Sequence, residues 1–242
     1  MKNPLITAHR GNSEKAPENT ISALNLAILA GADYAEIDVQ QIQDGSLILC
    51  HDINLQRLAG INKNIWEFNY DQLQQLEVGS WFSSNFTGEK IPTLTTAIDT
   101  VKGKIKLNLE LKLNEHELNL PQKVVETIRE KHFEKDCVIT SFHYPTLLTV
   151  RKLAPAIKIG KITAHPEENL SELDVDFYSV SAQVATIDFI NFAHTNNKEV
   201  HVWTINELEQ IKHFINLGVD NIITDKPELV KSGCEIETRA ES

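Results

Sequence analysis

The segment from Lys106 to Lys112, with the sequence KLNLELK, decides the fold, because leucines alternate with polar residues along it. Successive side chains of a β-strand point to opposite faces. The three leucines therefore share one face, and the other face is formed by Asn108, Glu110 and Lys112. Strands of parallel sheets are covered on both faces and usually read as continuous apolar runs. A polar face here predicts that the strand meets something specific, and in a closed barrel that face would line the interior near one mouth.

The run from Tyr34 to Gln41 repeats this pattern, since Glu36 and Asp38 are two residues apart and share a face. Together with Glu110 they would concentrate three carboxylates, which in a partly buried site requires raised pKa values or a cation. A set of oxygen ligands without cysteine favours one hard divalent ion, Mg²⁺ or Ca²⁺. For Glu36 and Asp38 alone, the alternative is the exposed face of an edge strand.

Outward from these two strands, short β-rich runs alternate with amphipathic helical runs along most of the chain. Further strands are predicted at 5–8, 137–141, 157–161, 176–181, 199–204 and 220–224. Helices are predicted near 19–30, 94–102, 121–132, 144–153, 186–197 and 206–217. Such alternation implies parallel strands joined by right-handed crossovers. About eight strands within 242 residues favour an α/β fold, the TIM-type (β/α)8 barrel, over an open doubly wound sheet.

Residues 53–93 interrupt this alternation. Ser46 to His51 reads as an extension paired with the second strand, and the segment that follows it is rich in tryptophan, phenylalanine and tyrosine. Aromatic side chains imply burial, so the segment predicts a small ordered insertion after the second strand rather than a linker. We therefore treat residues 1–242 as a single barrel domain that carries this insertion.

Local signals predict where several helices begin and end. Gly31 and Gly218 stand where a left-handed residue would stop a helix. Asn206 with Glu209 three residues later resembles a capping box. The residues after about Gly233 are polar, and we expect them to fray.

The formal net charge of −11 bears on possible partners. A broadly acidic surface repels nucleic acid and anionic membrane surfaces, so we expect neither nucleic-acid binding nor stable membrane association. A small anionic substrate remains compatible, because local cations can dominate inside one pocket. The oligomeric state is left open by the sequence.

The three cysteines form no C-x-x-C pair, and their number is odd. This fits a reducing compartment better than a disulfide scaffold. Cys50 and Cys137 lie in apolar runs and are expected in the core, whereas Cys234 lies in the polar tail and is expected to be incidental. The first residues show no export signal, so we expect a cytoplasmic protein.

Two histidines end apolar runs, His9 before Arg10 and His51 before Asp52. A lone histidine at a strand end is more often structural than catalytic, but two at the carboxyl ends of strands fit the catalytic face of a barrel. Histidine suits general acid–base catalysis because its ordinary pKa lies near neutrality. Arg10 offers a planar fork for phosphate oxygens, and Lys112 offers a point charge.

Trp203 shares a strand face with His201 near the predicted mouth. It fits equally a core residue and a residue that stacks on the apolar edge of a substrate. His143 and His165 also lie near strand ends, and we expect both on the rim rather than in the catalytic machinery.

A family resemblance extends through nearly the whole chain. His9-Arg10-Gly11, followed after five residues by Pro17-Glu18-Asn19-Thr20, resembles the opening motif of glycerophosphodiester phosphodiesterases. The likeness continues in the order of the chain. It includes Glu36-Ile37-Asp38, His51-Asp52, Gly79-Ser80-Trp81-Phe82, Ile91-Pro92-Thr93-Leu94, Glu110-Leu111-Lys112, Ser141-Phe142, Val202-Trp203-Thr204-Ile205-Asn206 and Thr224-Asp225-Lys226-Pro227.

The resemblance implies a metal-dependent hydrolase on a TIM-type barrel, with 53–93 as the family's insertion. It implies hydrolysis of a glycerophosphodiester to glycerol 3-phosphate and an alcohol. The implied roles are metal binding by Glu36, Asp38 and Glu110, acid–base catalysis by His9 and His51, phosphate binding by Arg10 and Lys112, and glycerol contact by Trp203. Asn19 would cap the first helix and brace its loop, and Glu18 would support the metal indirectly.

Two other functions remain to be distinguished. One is a catalytically idle phosphate-binding protein on the same barrel, against which the histidine pair argues, since a pure binder needs no proton shuttle. The other is a related barrel enzyme acting on lysophospholipid or phosphoinositide diesters, which would favour an exposed apolar collar. The sequence does not rank alcohol headgroups or choose between Mg²⁺ and Ca²⁺.

Overall fold

The structure, a computed structural model, describes the backbone of residues 3–240 and the side chains of residues 3–234. Its strands are β1 (Leu5–Ala8), β2 (Tyr34–Gln41), β3 (Leu47–Leu49), β4 (Lys106–Leu111), β5 (Cys137–Ser141), β6 (Lys158–Thr163), β7 (Phe177–Ser181), β8 (Glu199–Trp203) and β9 (Asn221–Thr224).

Eight of the strands within residues 3–240 close into a parallel barrel. The order is β1, β2, β4, β5, β6, β7, β8, β9, and β9 pairs again with β1. The short strand β3 stays outside this circuit and pairs antiparallel with β2. The predicted TIM-type barrel is confirmed. All eight carboxyl ends therefore open onto one face, where the loops of such barrels build active sites.

Helices cover the outside of the barrel. They are α1 (Ile21–Ala30), α4 (Leu94–Val101), α5 (Leu120–Glu130), α6 (Tyr144–Leu153), α7 (Ile187–Thr195), α8 (Leu208–Leu217) and α9 (Pro227–Ala240). Two short helices, α2 (Gln56–Ala59) and α3 (Tyr70–Leu73), belong instead to the segment at 53–93. Between β6 and β7, a 3₁₀ turn at Leu170–Glu172 stands where the other crossovers carry a helix. No helix in the described part of the chain is both long and apolar enough to cross a membrane.

The alternation along β4 divides the strand as predicted. The three leucines of β4 are fully or almost fully buried and belong to the main core, which packs the barrel strands against the helices. Asn108 and Glu110 face the barrel interior and line the cavity at its mouth. One face of β4 therefore packs into the core, and the opposite face of the same strand lines the cavity.

The insertion at 53–93 contains α2, α3 and two 3₁₀ turns, at Ile65–Glu67 and Ser84–Phe86. It has a core of its own, in which aliphatic residues such as Leu55, Ile65 and Leu73 are completely buried. The aromatic side chains contribute less to this core than the sequence suggested. Phe68 is buried, but Trp81 is 43% exposed.

The predicted helix ends are partly confirmed. Gly31 and Gly218 are left-handed residues at the ends of α1 and α8. The capping box at Asn206 is wrong, because Glu207 occupies the cap position of α8 without a side-chain cap. The polar tail was also misjudged: α9 continues to Ala240, and Cys234 is buried in the main core. Residues 241–242 of that tail lie outside the described residues.

Gly11 follows β1 at a point where the chain crosses closely over α1. Its φ of +79° is in the left-handed region that favours glycine. A Cβ atom at this position would lie 2.7 Å from the backbone carbonyl carbon of Ala23. Both the turn and the close approach therefore require glycine, and together they fix where the next loop leaves the barrel.

Replacing Gly11 by alanine should lower the free energy of unfolding by about 2–5 kcal/mol, since left-handed strain adds to overpacking. Gly60→Ala is the matched control. Gly60 has a φ of +71° but nothing within 4 Å of its missing Cβ, so only the strain of about 1–2 kcal/mol applies. Urea denaturation measures both changes. Equal losses at the two positions would contradict the packing argument.

Candidate active site

Three carboxylates converge at the mouth of the barrel. Asp38 on β2 is paired in register with Glu110 on β4, and Glu36 lies two residues earlier on the same face of β2. One oxygen from each of the three lies within 4.8 Å of the others. Glu36 and Asp38 are almost completely buried. The predicted acidic set is thus brought together, which rules out the exposed edge strand as the explanation for Glu36 and Asp38.

The neighbouring positive charges do not fully compensate the negative charge of these three carboxylates. Burial, together with the charge of Asp38, raises the pKa of Glu36 to about 8. Burial and Asp38 also raise the pKa of Glu110. Burial disfavours the charge on Asp38 as well, but Lys112 and Arg10 outweigh it and hold its pKa below the ordinary value. Glu36 Oε1 is buried without a hydrogen-bond partner among the described residues.

These features fit a bound cation. Hard divalent ions prefer oxygen ligands and neutralise carboxylates that would otherwise take up protons. Glu36 offers one oxygen within 4.8 Å of oxygens of Asp38 and Glu110, and its Oε1 has no hydrogen-bond partner among the described residues. The three residues are therefore compatible with a metal site.

Two cationic side chains border the carboxylates. Lys112 Nζ lies 3.1 Å from Glu110 Oε1 and 3.4 Å from Asp38 Oδ1. Arg10 Nε lies 3.5 Å from Asp38 Oδ2, and the Arg10 backbone N–H donates to Glu36 Oε2 at 2.9 Å. Both predicted phosphate-binding residues consequently stand beside the acidic cluster.

His9 follows β1, and its ring is held by a carboxylate from the other end of the chain. His9 Nδ1 lies 2.7 Å from Asp225 Oδ1, and His9 Nε2 lies 4.0 Å from Glu36 Oε2. Burial would lower the pKa of His9, but the hydrogen bond to Asp225 and the charge of Glu36 raise it overall. Burial disfavours the Asp225 charge, yet the bond to His9 lowers the pKa of Asp225 to about 2.

His51 reaches the same site by a different route from the one predicted. It follows β3, which runs antiparallel to β2, so it does not stand at the carboxyl end of a barrel strand. It still arrives at the carboxylates because the Cys50 backbone N–H donates to the Asp38 carbonyl oxygen. Its Nδ1 lies 2.8 Å from Asp52 Oδ1. Each of the two histidines therefore has a carboxylate at Nδ1.

A cavity of about 150 Å³ opens at this face of the barrel. Of the predicted site residues, only Asp38 is absent from its lining, which includes His9, Arg10, Glu36, His51, Glu110, Lys112 and Trp203. Trp203 packs edge-on against Phe142, with ring centroids 6.2 Å apart. The cavity thus has a charged side and an aromatic side.

Several functional partners were missed or misplaced by the sequence. Asn19 does not cap α1, since Thr20 accepts from the Ala23 backbone N–H instead. The Asn19 amide donates to Asp38 Oδ2 at 2.7 Å, and its oxygen accepts from the Asp38 backbone N–H at 3.0 Å. It therefore orients one carboxylate of the acidic cluster. Glu18 pairs with Arg10 at 2.8 Å, and Arg10 in turn lies beside Asp38, so the support that Glu18 gives to the acidic cluster is indirect, as expected.

Asn206 likewise serves the site rather than a helix end. Its amide donates to Asp225 Oδ2 at 2.6 Å, and its oxygen accepts from the Asp225 backbone N–H at 2.9 Å. The available signal was the position of both residues just after barrel strands, which places them on the same face. His143 and His165 are exposed, as expected for rim residues.

Comparison with known proteins supplies the family. The family model described as "Glycerophosphoryl diester phosphodiesterase family" matches residues 9–229. A glycerophosphodiester phosphodiesterase of Caldanaerobacter subterraneus subsp. tengcongensis is 33% identical, over 95% of this chain and 98% of that relative.

Solved structures agree with this result. A phosphodiesterase of Oleispira antarctica, in complex with the product sn-glycerol-3-phosphate, is similar with a TM-score of 0.91 and 29% identity, over 96% of this chain and 97% of that one. A glycerophosphodiester phosphodiesterase of Agrobacterium tumefaciens gives a TM-score of 0.82 and 25% identity, over 95% and 99% of the two chains. With the fold, the acidic cluster and this coverage in agreement, the chain belongs to the glycerophosphoryl diester phosphodiesterase family of enzymes.

Proposed function

We propose that this chain hydrolyses glycerophosphodiesters to glycerol 3-phosphate and an alcohol, with the help of one divalent cation. The observation that carries the proposal is the convergence, on one cavity, of three carboxylates with two carboxylate-bound histidines and two cationic side chains. The similar Oleispira antarctica enzyme holds sn-glycerol-3-phosphate as its product, which supports a small phosphate ester as the ligand here.

Glu36, Asp38 and Glu110 would hold the cation, either Mg²⁺ or Ca²⁺. The oxygen-only ligand set and the orphaned Glu36 oxygen support this assignment. When bound, such an ion draws negative charge from phosphate oxygens as a Lewis acid. Arg10 and Lys112 would bind and orient the same phosphate. Trp203, with Phe142 against its ring, would contact the glycerol carbons.

His9 and His51 would move the protons. Because Asp225 and Asp52 occupy their Nδ1 atoms, the Nε2 atom of each ring is left for exchange with the substrate. One histidine takes the proton from the attacking hydroxyl, and the other gives a proton to the alcohol that leaves. The carboxylates fix the ring orientations and stabilise the protonated ring.

The attacking group would be the glycerol hydroxyl next to the ester, which is already close to the phosphorus. Its oxygen bonds to phosphorus while the bond to the alcohol oxygen breaks, which gives a cyclic phosphate. Water then opens the ring to glycerol 3-phosphate, with the histidine roles exchanged. Direct attack by water is the competing route.

The activity itself is tested by glycerol 3-phosphate release from a panel of glycerophosphodiesters, with Mg²⁺ or Ca²⁺ added. We expect turnover with metal and none in excess chelator, because the carboxylates alone would repel the phosphate. Full activity in chelator would contradict the metal assignment. No release from any substrate would favour the idle phosphate-binding alternative.

Metal affinity should strengthen as the pH rises towards the raised pKa of Glu36, about 8, and level off above it, because this carboxyl must lose its proton to bind the ion. Calorimetric titration over a pH series measures the slope. Glu36→Gln, which has no proton to lose, should bind more weakly and with a shallower slope. An unchanged slope in that variant would contradict the assignment.

Replacing His9 or His51 by alanine should lower kcat by about two to four orders of magnitude, the usual contribution of acid–base assistance. The exposed His143 provides a matched control, and its alanine variant should keep the kcat of the parent. Near-normal turnover in either site variant, measured at saturating metal, would remove that histidine from the mechanism.

A deoxy substrate that lacks the neighbouring hydroxyl separates the two chemical routes. The cyclic route predicts that its turnover disappears, because no internal nucleophile remains to attack phosphorus. Release of the alcohol is the measurement, and a glycerophosphodiester with the same alcohol is the reference. Unchanged turnover would eliminate the cyclic phosphate in favour of direct attack by water.

A further inference from the structure

A continuous chain of charged side chains connects Arg10 with His51 along the rim of the cavity. Glu18 Oε1 accepts from Arg10 Nη1 at 2.8 Å. The two Glu18 oxygens also accept from both terminal nitrogens of Arg57, at 2.7 and 2.8 Å. Arg57 Nε donates to Asp52 Oδ2 at 2.7 Å, and the other Asp52 oxygen contacts His51 Nδ1 at 2.8 Å. Arg57 therefore joins the pair formed by Arg10 and Glu18 to the pair formed by Asp52 and His51.

The chemistry of this link requires a guanidinium group. Arg57 uses three donors on two carboxylates at once, which the planar fork of arginine permits and the compact ammonium of lysine does not. Burial disfavours the charge on Asp52, but its hydrogen bonds with Arg57 and His51 lower its pKa to about 2. Asp52 thus stays ionised while it holds the His51 ring.

Arg57 is anchored in the insertion rather than in the barrel. It belongs to α2, whose neighbours Leu55 and Leu58 are buried in the second core. Its guanidinium carbon also lies 5.6 Å from the centroid of the Trp81 ring. The insertion therefore determines the position of Arg57. Arg57 in turn contacts Glu18, which binds Arg10, and Asp52, which binds His51.

Stability alone is a poor explanation for this arrangement. The Arg57 side chain is 42% exposed, and exposed ion pairs contribute little to the free energy of unfolding. What the link does fix is geometry: it holds Asp52 against His51, and it restrains Glu18 so that this carboxylate is shared rather than paired with Arg10 alone.

We propose that Arg57 is a positioning residue for the reaction proposed above, on which this inference rests. Through Asp52 it sets the ring of His51, and through Glu18 it sets the guanidinium of Arg10. The insertion thereby controls the placement of a proton-transfer group and a phosphate-binding group with one side chain.

The test compares Arg57→Ala, Arg57→Lys, Asp52→Asn and the double variant of Arg57→Ala with Asp52→Asn, with Lys63→Ala as the control from the same segment. We expect Arg57→Ala to lower kcat about 10–100-fold, in the range found when a group behind an active residue is lost. KM should also rise, because Glu18 is then free to pair with Arg10 alone. Lys63→Ala should retain the parental kcat and KM.

Two readouts separate positioning from general destabilisation. Guanidinium chloride, kept well below its unfolding range, should restore part of the kcat of Arg57→Ala, whereas equal sodium chloride should not. The double variant should lose little more kcat than the worse single variant, because both changes cut the same link. Thermal unfolding of each variant confirms that the assays report on folded protein.

Two results would overturn the inference. One is a parental kcat and KM in Arg57→Ala. The other is a decrease in the kcat of Arg57→Ala that is additive with that of Asp52→Asn and is not restored by guanidinium. If Arg57→Ala does not fold, Arg57→Lys decides, and parental kinetics in that variant would refute the need for a bridge to both carboxylates. A parent enzyme that releases no glycerol 3-phosphate would instead overturn the proposed function, and the positioning role with it.

Discussion

Crowding of negative charge at the ends of β2 and β4 is the constraint to which the rest of the site responds. Three carboxylates with oxygens within 4.8 Å of one another, two of them buried, cannot all ionise without compensation. Lys112 and Arg10 supply part of that compensation, and Asn19 adds an amide hydrogen bond to Asp38. Burial and the uncompensated charge raise the pKa values of both Glu36 and Glu110, and Glu36 also has the orphaned oxygen. The uncompensated charge of this cluster is thus what makes it compatible with a bound cation.

Closure of the barrel makes these contacts possible between distant parts of the chain. The pairing of β1 with β9 places His9 beside Asp225. That contact in turn depends on Asn206, which follows β8 and binds both the side chain and the backbone of Asp225. A parallel barrel gathers all its carboxyl strand ends on one face, so residues from opposite ends of the sequence become neighbours without any long loop.

Much of this could be predicted from alternation alone. The period of two along β4 and β2 identified Glu36, Asp38 and Glu110, because a polar face on a buried strand needs an explanation wherever the strand lies. Asn19 and Asn206 were misjudged for a shared reason. Asparagine is favoured at helix starts and also donates hydrogen bonds to carboxylates. Only the folded structure shows which of the two roles a given asparagine has. His51 was predicted at the correct face of the barrel but for the wrong reason. An apolar pattern does not show that β3 runs antiparallel to β2, so His51 was taken for a residue at the carboxyl end of a barrel strand.

The reversal at β3 divides the site between two separately packed bodies. The carboxylates and His9 stand on or beside barrel strands, whereas His51 stands at the entrance to a segment with its own small core. Sequence change in that segment can accumulate while the barrel keeps its packing, because the buried residues of the two cores, within the described part of the chain, are different ones. A lineage could therefore exchange the wall on the His51 side while the wall that carries the three carboxylates stays as it is. Modularity of this kind separates the packing that supports the carboxylates from the packing that shapes the opposite wall of the cavity.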